Sequence, residues 1–408
     1  METSEQGPAG DSTPILRKRA ATVGALRESH PGERRVAISP TSAGLLTKAG
    51  FEVRVEAGAG EPAGFIDAAY EEAGARVVEA REALESDVLV RVRATYWPAD
   101  GSAPGEGSVV VGLADPLVDP EAAARLGEAG VTVFALELLP RITRAQPMDA
   151  LSSQATIAGY KAALLAAEAL PKMFPLLTTA AGTITPARVF VVGAGVAGLQ
   201  AIATARRLGA VVDAYDVRPA VREEVQSLGA KFLEIDLETG QGEGSGSGAY
   251  AKELQEETLR KQRELMARTV AGSDVVITTA LVQGRRAPVL VTAEMVDGMA
   301  GGSVVVDLAA EQGGNCEVTR AGERVVTEGG VRVIGPVNIA STVAFHASQM
   351  YARNVAAFLQ HVVQDGELRV AGDDEIATGT LVSHGGKVVC TRVIEALEAL
   401  EAEGKAPA

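Results

Sequence analysis

Arg188-Val-Phe-Val-Val192 runs without a break into Gly193-Ala-Gly195-Val-Ala-Gly198, then LQAIATARRLG at 199–209 and VVDAYD at 211–216. An apolar run, a G-x-G-x-x-G turn, a helical segment and a second apolar run make one βαβ unit with its glycines in the first turn. The first glycine permits the tight turn. The second lets a pyrophosphate approach the backbone, where helix N-terminal amides lack partners within the helix. The third lets helix and sheet pack closely. An acidic residue is expected about 20 positions on. Asp216 ends the second apolar run 23 positions after Gly193, whereas Asp213 lies within it. A carboxylate there accepts from a ribose 2′-hydroxyl and repels a 2′-phosphate, so NAD is expected over NADP, with Arg218 the contrary charge nearby.

The same alternation extends in both directions. ATVGAL, FEVRVEAG, ARVVEA, DVLVRVRA, SVVVGLA and GVTVFALEL read as strands over 21–138, with a helix opening at Ser39-Pro40 and stopping at Gly50. KFLEID, DVVITTAL, SVVVDLA and RVIGPVN continue the second series. The pattern predicts an α/β fold: two Rossmann-like, doubly wound parallel-sheet domains joined by long helices. Residues 21–151 with 340–408 form the first domain, discontinuous in sequence. Residues 152–339 form the dinucleotide-binding domain, and 1–20 a disordered tail. Ile157, Tyr160, Lys161, Leu164 and Leu165 share one face of a helix that bridges the domains. A second helix covers FHASQMYARNVAAFLQHVV; TLVSHG and KVVC are strand-like, and a last helix carries Val393, Ile394, Leu397 and Leu400. The tract TGQGEGSGSG at 239–248 has little apolar surface and predicts a mobile loop over about 239–253. AKELQEETLRKQRELMAR after it reads as a solvent-facing helix.

The chain has 408 residues, long enough for two domains, and 47% hydrophobic with 22% charged residues excludes disorder over most of it. A net charge of −15 argues against nucleic acid or an anionic membrane surface as a partner. No stretch offers the roughly 20 apolar residues of a membrane span, so no direct membrane insertion is expected. Cys316 and Cys390 are too few for a disulfide framework and point to a reducing cytosol; no spacing suggests a metal site. Cys316 reads as a packing residue.

Oxidation of an alcohol or amine moves a proton as well as a hydride and needs a positioned acid or base. His30 lies in a polar loop, His346 and His361 in one helical stretch, and His384 beside two glycines. None is expected to follow a first-domain strand facing the second domain. The sequence thus signals a dinucleotide strongly and a proton handler weakly.

RITRAQPMDALSSQ at 141–154, GAGVAGLQAIATARRLGA at 193–210, YDVRP at 215–219, GAYAKE at 248–253, ITTALVQGRRAP at 277–288 and VVVDLAAEQGGNC at 304–316 carry a resemblance. In this order they resemble the NAD-binding domain I of proton-translocating nicotinamide nucleotide transhydrogenase, over roughly residues 20–390. The resemblance implies that NAD(H) binds this chain and that hydride passes directly between it and NADP(H) on a separate domain III. It also implies coupling to proton flow through a membrane-spanning domain on another chain. A homodimer, cytoplasmic and peripheral on the inner membrane, follows from the same likeness.

By this resemblance Arg141, Asp149 and Ser152 hold the nicotinamide carboxamide and its ribose, and Gln146 reaches toward the second nicotinamide. Read from the residues alone, the segment is a helix start, with Pro147 opening a turn and Asp149 near orphan amides. Gly193, Gly195, Gly198 and Asp216 are cofactor-binding candidates from the fingerprint itself. Val196 packs under the cofactor or, equally, in the core. Tyr250 matches the tip of a closing loop; a surface linker is the other reading. Thr278, Thr279, Ala280 and Leu281 end a strand where ligands dock in such folds.

Alanine dehydrogenase is similar in RVAISP, VEAGAGE and the glycine-rich turn. This chain departs from it at GLADP, 112–116, which lacks that family's histidine, and at Glu311, where an aspartate is expected before Gln312-Gly313-Gly314. Arg91 and Arg93 stand where its substrate lysine would lie. Nicotinamide-to-nicotinamide transfer, which moves no proton, tolerates all three departures. An NAD-dependent amino-acid dehydrogenase is the alternative enzyme, and a non-catalytic NAD sensor the alternative class.

Overall fold

A computed structural model describes residues 21–98, 101–234, 248–364, 367–370, 372, 374–402 and 404, without the side chains of 248–259. The tail expected over 1–20, the expected loop through residue 247 and the side chain of Tyr250 lie outside the described residues. The chain forms two compact units, Met1–Gln154 with Ser341–Ala408, and Ala155–Ala340.

In the first unit β1 (Thr22–Ala25), β2 (Glu52–Glu56), β3 (Arg76–Val78), β4 (Val88–Arg93), β5 (Val109–Leu113) and β6 (Thr132–Ala135) are parallel. Their order is 3-2-1-4-5-6, so the winding reverses between β1 and β4. A hairpin of Leu381–His384 and Lys387–Val388, from the strand-like TLVSHG and KVVC segments, extends the sheet antiparallel to β6. Continuous apolar runs suit strands covered on both faces. Val23, Val53, Val90 and Val111 belong to one core with Tyr351, Val355, Phe358 and Leu359 of the Ala344–Val362 helix. Leu89, Val110 and Val133 belong to the other with Ala123 and Leu126. The Pro40–Lys48 helix opens on a reciprocal cap between Ser39 and Ser42, with proline at its first position.

In the second unit β7 (Leu177–Thr179) and β8 (Gly182–Ile184) form an exposed hairpin of their own. β9 (Arg188–Val192), β10 (Val211–Tyr215), β11 (Lys231–Phe232), β12 (Val275–Thr278), β13 (Val304–Asp307), β14 (Arg324–Val326) and β15 (Arg332–Ile334) form a sheet ordered 11-10-9-12-13-15-14. β14 is antiparallel at its edge, and the winding reverses between β9 and β12.

Two helices differ from their sequence patterns. On Ala150–Ala169 the expected apolar stripe is only in part the buried face: Ile157 is buried but Tyr160 is 40% exposed, and Ala162, Ala163 and Ala166 outside the stripe are buried. Small residues win because this helix packs by close backbone approach; a Cβ at Gly159 would lie 2.0 Å from the Ala197 carbonyl oxygen. The charged Gly248–Ala271 helix is not wholly solvent-facing, since Met266 and Val270 are buried.

Gly159→Ala should therefore destabilise the chain. Better helix propensity gains at most about 1 kcal/mol, while forcing backbone apart costs about 1–3 kcal/mol. A urea midpoint below the wild-type value is expected; an unchanged or higher midpoint would refute the close approach.

Candidate functional site

The turn after β9 is shaped by backbone contacts. Gly193 has φ +97° and donates its N–H to the Tyr215 carbonyl at 2.8 Å. A Cβ at Gly198 would sit 1.8 Å from the Gly193 oxygen, so only glycine fits there. The Val196–Arg207 helix then starts with Gly195 as N-cap, and among the described residues no side chain caps its first amides. A Cβ on Gly195 would meet only the Arg218 guanidinium, at 3.9 Å. Uncapped amides, an open approach and a nearby cation fit a dinucleotide pyrophosphate. Val196 is 42% exposed in the first turn, which removes its core reading.

Asp216 lies at the end of β10 but is already occupied. Its carboxylate accepts from Ala194 N at 2.7 Å, Arg218 N at 2.8 Å, and Arg218 Nε and Nη2 at 3.0 Å. A carboxylate has about four lone-pair positions, and these donors match them. Burial disfavours its charge, yet the Arg218 fork and the two amides hold the group below the usual carboxylate range. A ribose hydroxyl would have to compete with Arg218 for this carboxylate, which restrains the guanidinium.

Beside the turn, Thr279 donates from N to the Val192 carbonyl at 2.9 Å and from Oγ1 to the Gly193 carbonyl at 3.0 Å. Ala280 is gripped at both backbone atoms by buried Asn315, whose Oδ1 accepts its N–H at 2.9 Å and whose Nδ2 donates to its oxygen at 2.8 Å. Leu281 is 50% exposed at the rim. Asp307, at the end of β13, accepts from Thr278 Oγ1, Ala309 N, Cys316 N and Thr319 Oγ1. Sequence reasoning missed Asp307 and Asn315 as supports of this rim. The signal was a polar residue ending an apolar run and an asparagine beside the cysteine. Burial raises the Cys316 thiol above its ordinary value, which disfavours the thiolate.

In the first unit, Arg141 and Gln146 are exposed on the segment that includes the Thr143–Met148 turn. Asp149 caps the Ala150–Ala169 helix, accepting from Ser152 N at 2.8 Å and Ser152 Oγ at 2.5 Å. Asp149 and Ser152 are thus brought into contact.

The winding reversal of this unit is filled by its own charges. Glu28 accepts from Val92 N at 2.6 Å and pairs at 3.3 Å with Arg91, which is fully buried under the Trp97 ring. Glu33 pairs with Arg35 at 2.7 Å; Arg93 meets Glu33 at 3.8 Å and Asp115 at 3.2 Å. Asp115 adopts φ +46°, and Glu137 accepts from its N–H and from Ala114 N. His30 lies in the polar loop that follows β1. Its ring packs edge-on against Tyr96, with Nδ1 3.0 Å from the Pro31 carbonyl. His361 pairs with Asp374, and His384 with Thr132. Among the described residues no helix is long and apolar enough to cross a membrane, and no His, Cys, Asp and Glu group is placed to hold a metal ion.

Two doubly wound units, the first discontinuous and the second contiguous with the glycine-rich turn, define the class. The chain belongs to the alanine dehydrogenase/PNT family: residues 24–158 match its N-terminal domain and 162–391 its C-terminal domain. It is 45% identical to the first part of the NAD(P) transhydrogenase subunit alpha of Rhodospirillum rubrum, over 89% of this chain and 96% of that one. The structure of a transhydrogenase from Sinorhizobium meliloti superposes with a TM-score of 0.81 at 48% identity, covering 90% of this chain and 100% of the other. An L-alanine dehydrogenase structure superposes with a TM-score of 0.76 at 25% identity, covering 93% and 99%.

Two expectations follow from the geometry. Asp216→Asn loses acceptor capacity and frees Arg218 for a 2′-phosphate, so the preference for NADH over NADPH should narrow about tenfold. Parallel fluorescence titrations with the two nucleotides measure this, and an unchanged ratio would count against the restraint. Glu137 is raised above the usual carboxylate range by burial and then by the Asp115 charge. A carboxyl with a raised folded value stabilises fully below its unfolded value, and that contribution is lost as pH rises through the folded one. Glu137→Gln should flatten the fall in stability with rising pH by up to about 1.4 kcal/mol per pH unit. Denaturant unfolding across pH would expose the error if both proteins gave the same slope.

Proposed function

We propose that this chain is the NAD(H)-binding subunit of a proton-translocating NAD(P)+ transhydrogenase. Its partners in that reading are an NADP(H)-binding domain III and a membrane-spanning proton-channel domain on other chains. The working form is a homodimer, cytoplasmic and peripheral on the inner membrane. The observation that carries the reading is the open, uncapped helix N-terminus behind Gly193, Gly195 and Gly198, together with the Asp149–Ser152 pair on the first unit's segment.

When bound, NAD(H) supplies the hydride or accepts it. The chain's residues bind and orient. The first-turn amides of the Val196–Arg207 helix take the pyrophosphate, and Tyr250 closes over the nucleotide. Arg141 offers guanidinium donors to the carboxamide. Asp149 uses two acceptor positions on Ser152 and keeps about two for ribose hydroxyls. Ser152 Oγ is oriented by Asp149. No proton needs to move, so the engagement of His30, His361 and His384 by neighbours within the chain is no handicap. Alanine oxidation would need an acid–base group, and the GLADP turn offers Asp115 tied to Arg93 instead. No turnover of alanine with NAD is expected.

Gln146 tests the reading most directly. Two nicotinamide rings have to come within about 3–3.5 Å, and the foreign ring needs a guide on this chain. Gln146 is exposed, uncharged, and carries both donor and acceptor. Gln146→Asn should slow hydride transfer to NADP+ by roughly 10²-fold in a complex with domain III, with little change in NADH affinity. Stopped-flow transfer beside an NADH titration reads both quantities. Unimpaired transfer, or loss of NADH binding alone, would show that Gln146 does not guide the second ring.

A further inference from the structure

We propose that Asn354 is a positioning residue for the 146–152 segment, acting through the Pro147 carbonyl. It rests on the reading that this segment serves hydride transfer. Asn354 lies on the Ala344–Val362 helix, is 8% exposed, and donates from Nδ2 to the Pro147 oxygen at 2.8 Å. Its Oδ1 is buried and has no partner among the described residues. A buried amide that leaves one end unsatisfied costs stability, so its single bond to the segment has to be worth that cost.

The bond falls where it has most leverage. The ring of Pro147 fixes φ near −65°, and holding its carbonyl fixes the remaining rotation, ψ. The exposed side chain of Gln146 then springs from a base with both soft dihedrals set on its C-terminal side. Asp149 follows two residues on, its own N–H donating to the Gln146 carbonyl at 3.2 Å.

A second tie grips the far end of the segment from the same helix. Gln154 Nε2 donates to the Ala347 carbonyl at 3.1 Å, while its Oε1 accepts from Arg35 Nη1 at 2.9 Å. Ala347 and Asn354 lie seven residues apart, two turns along one helix face. The helix therefore holds Pro147 and Gln154 as two fixed posts, with Asp149 and Ser152 between them. Gln154 is also tied to the Glu33–Arg35 pair, whereas Asn354 is the direct hold on the Gln146 side.

The test is Asn354→Leu, close to isosteric, which removes the donor and the orphaned acceptor together; Asn354→Ala serves if the leucine variant does not fold. Three readouts are taken on the full chain: hydride transfer with domain III, NADH titration, and amide exchange across 143–152 against the Ala344–Val362 helix. Transfer should fall about 10- to 100-fold, the scale of a misplaced reacting group, with NADH affinity changed less than about threefold. Exchange should quicken in 143–152 and not in the helix. A merely structural role would instead lower affinity, transfer and helix protection together, and that pattern would overturn the proposal, as would wild-type transfer with unchanged exchange. If the wild-type chain transfers no hydride, the transhydrogenase reading falls, and exchange alone decides: local quickening upholds the clamp and unchanged exchange refutes it.

Discussion

Two backbone approaches that leave no room for a methyl group fix the first turn of the Val196–Arg207 helix. On one side Gly198 lies against the Gly193 carbonyl; on the other Gly159 lies against the carbonyl of Ala197. Side chains can shift by rotamer, but backbone can yield only by moving whole elements. The helix is therefore held directly against the end of β9 and against the Ala150–Ala169 helix. Its uncapped amides keep one direction, and Asp216 secures the turn further by accepting from Ala194.

The two sheets share a winding plan and differ in what occupies the reversal point. In the second unit small residues leave it open beside Gly195. In the first, Glu28, Glu33, Arg35, Arg91 and Arg93 close it with paired charges. Such buried pairs are weak sources of stability, because desolvation offsets much of the attraction, but removing one partner strands the other. The first unit thus uses its strand ends to brace loops, with Arg35 reaching Gln154 and Glu137 reaching the GLADP turn. The second unit uses its strand ends to receive a ligand, in the reading favoured above.

Much of this was legible in the sequence, because period and punctuation are local. The apolar runs, the glycine spacing and the Ser39-Pro40 helix start translate directly into elements. What escaped depends on distance in space. The buried face of the Ala150–Ala169 helix is rich in alanines, which carry little periodic signal, and its neighbour is decided by a glycine contact. Asp216 was found by position, but its engagement by Arg218 could not be read from spacing. Asn354 and Asn315 look like ordinary polar residues until the carbonyls they hold, at Pro147 and Ala280, are seen beside them.

The order in which the first unit is assembled has a consequence for its biosynthesis. Its sheet is begun by residues 22–135, but its covering helix, Ala344–Val362, and its edge hairpin, Leu381–His384 with Lys387–Val388, come after the second unit in the chain. The second unit, Ala155–Ala340, is contiguous. On a ribosome the second unit is fully synthesised while the first still lacks one face of its core and has β6 as an open edge. An unfinished parallel sheet with a bare edge strand is prone to pairing with other chains. The half that emerges first is thus the half that finishes last, and the nascent protein carries its greatest exposure to misassembly until the Lys387–Val388 strand is added.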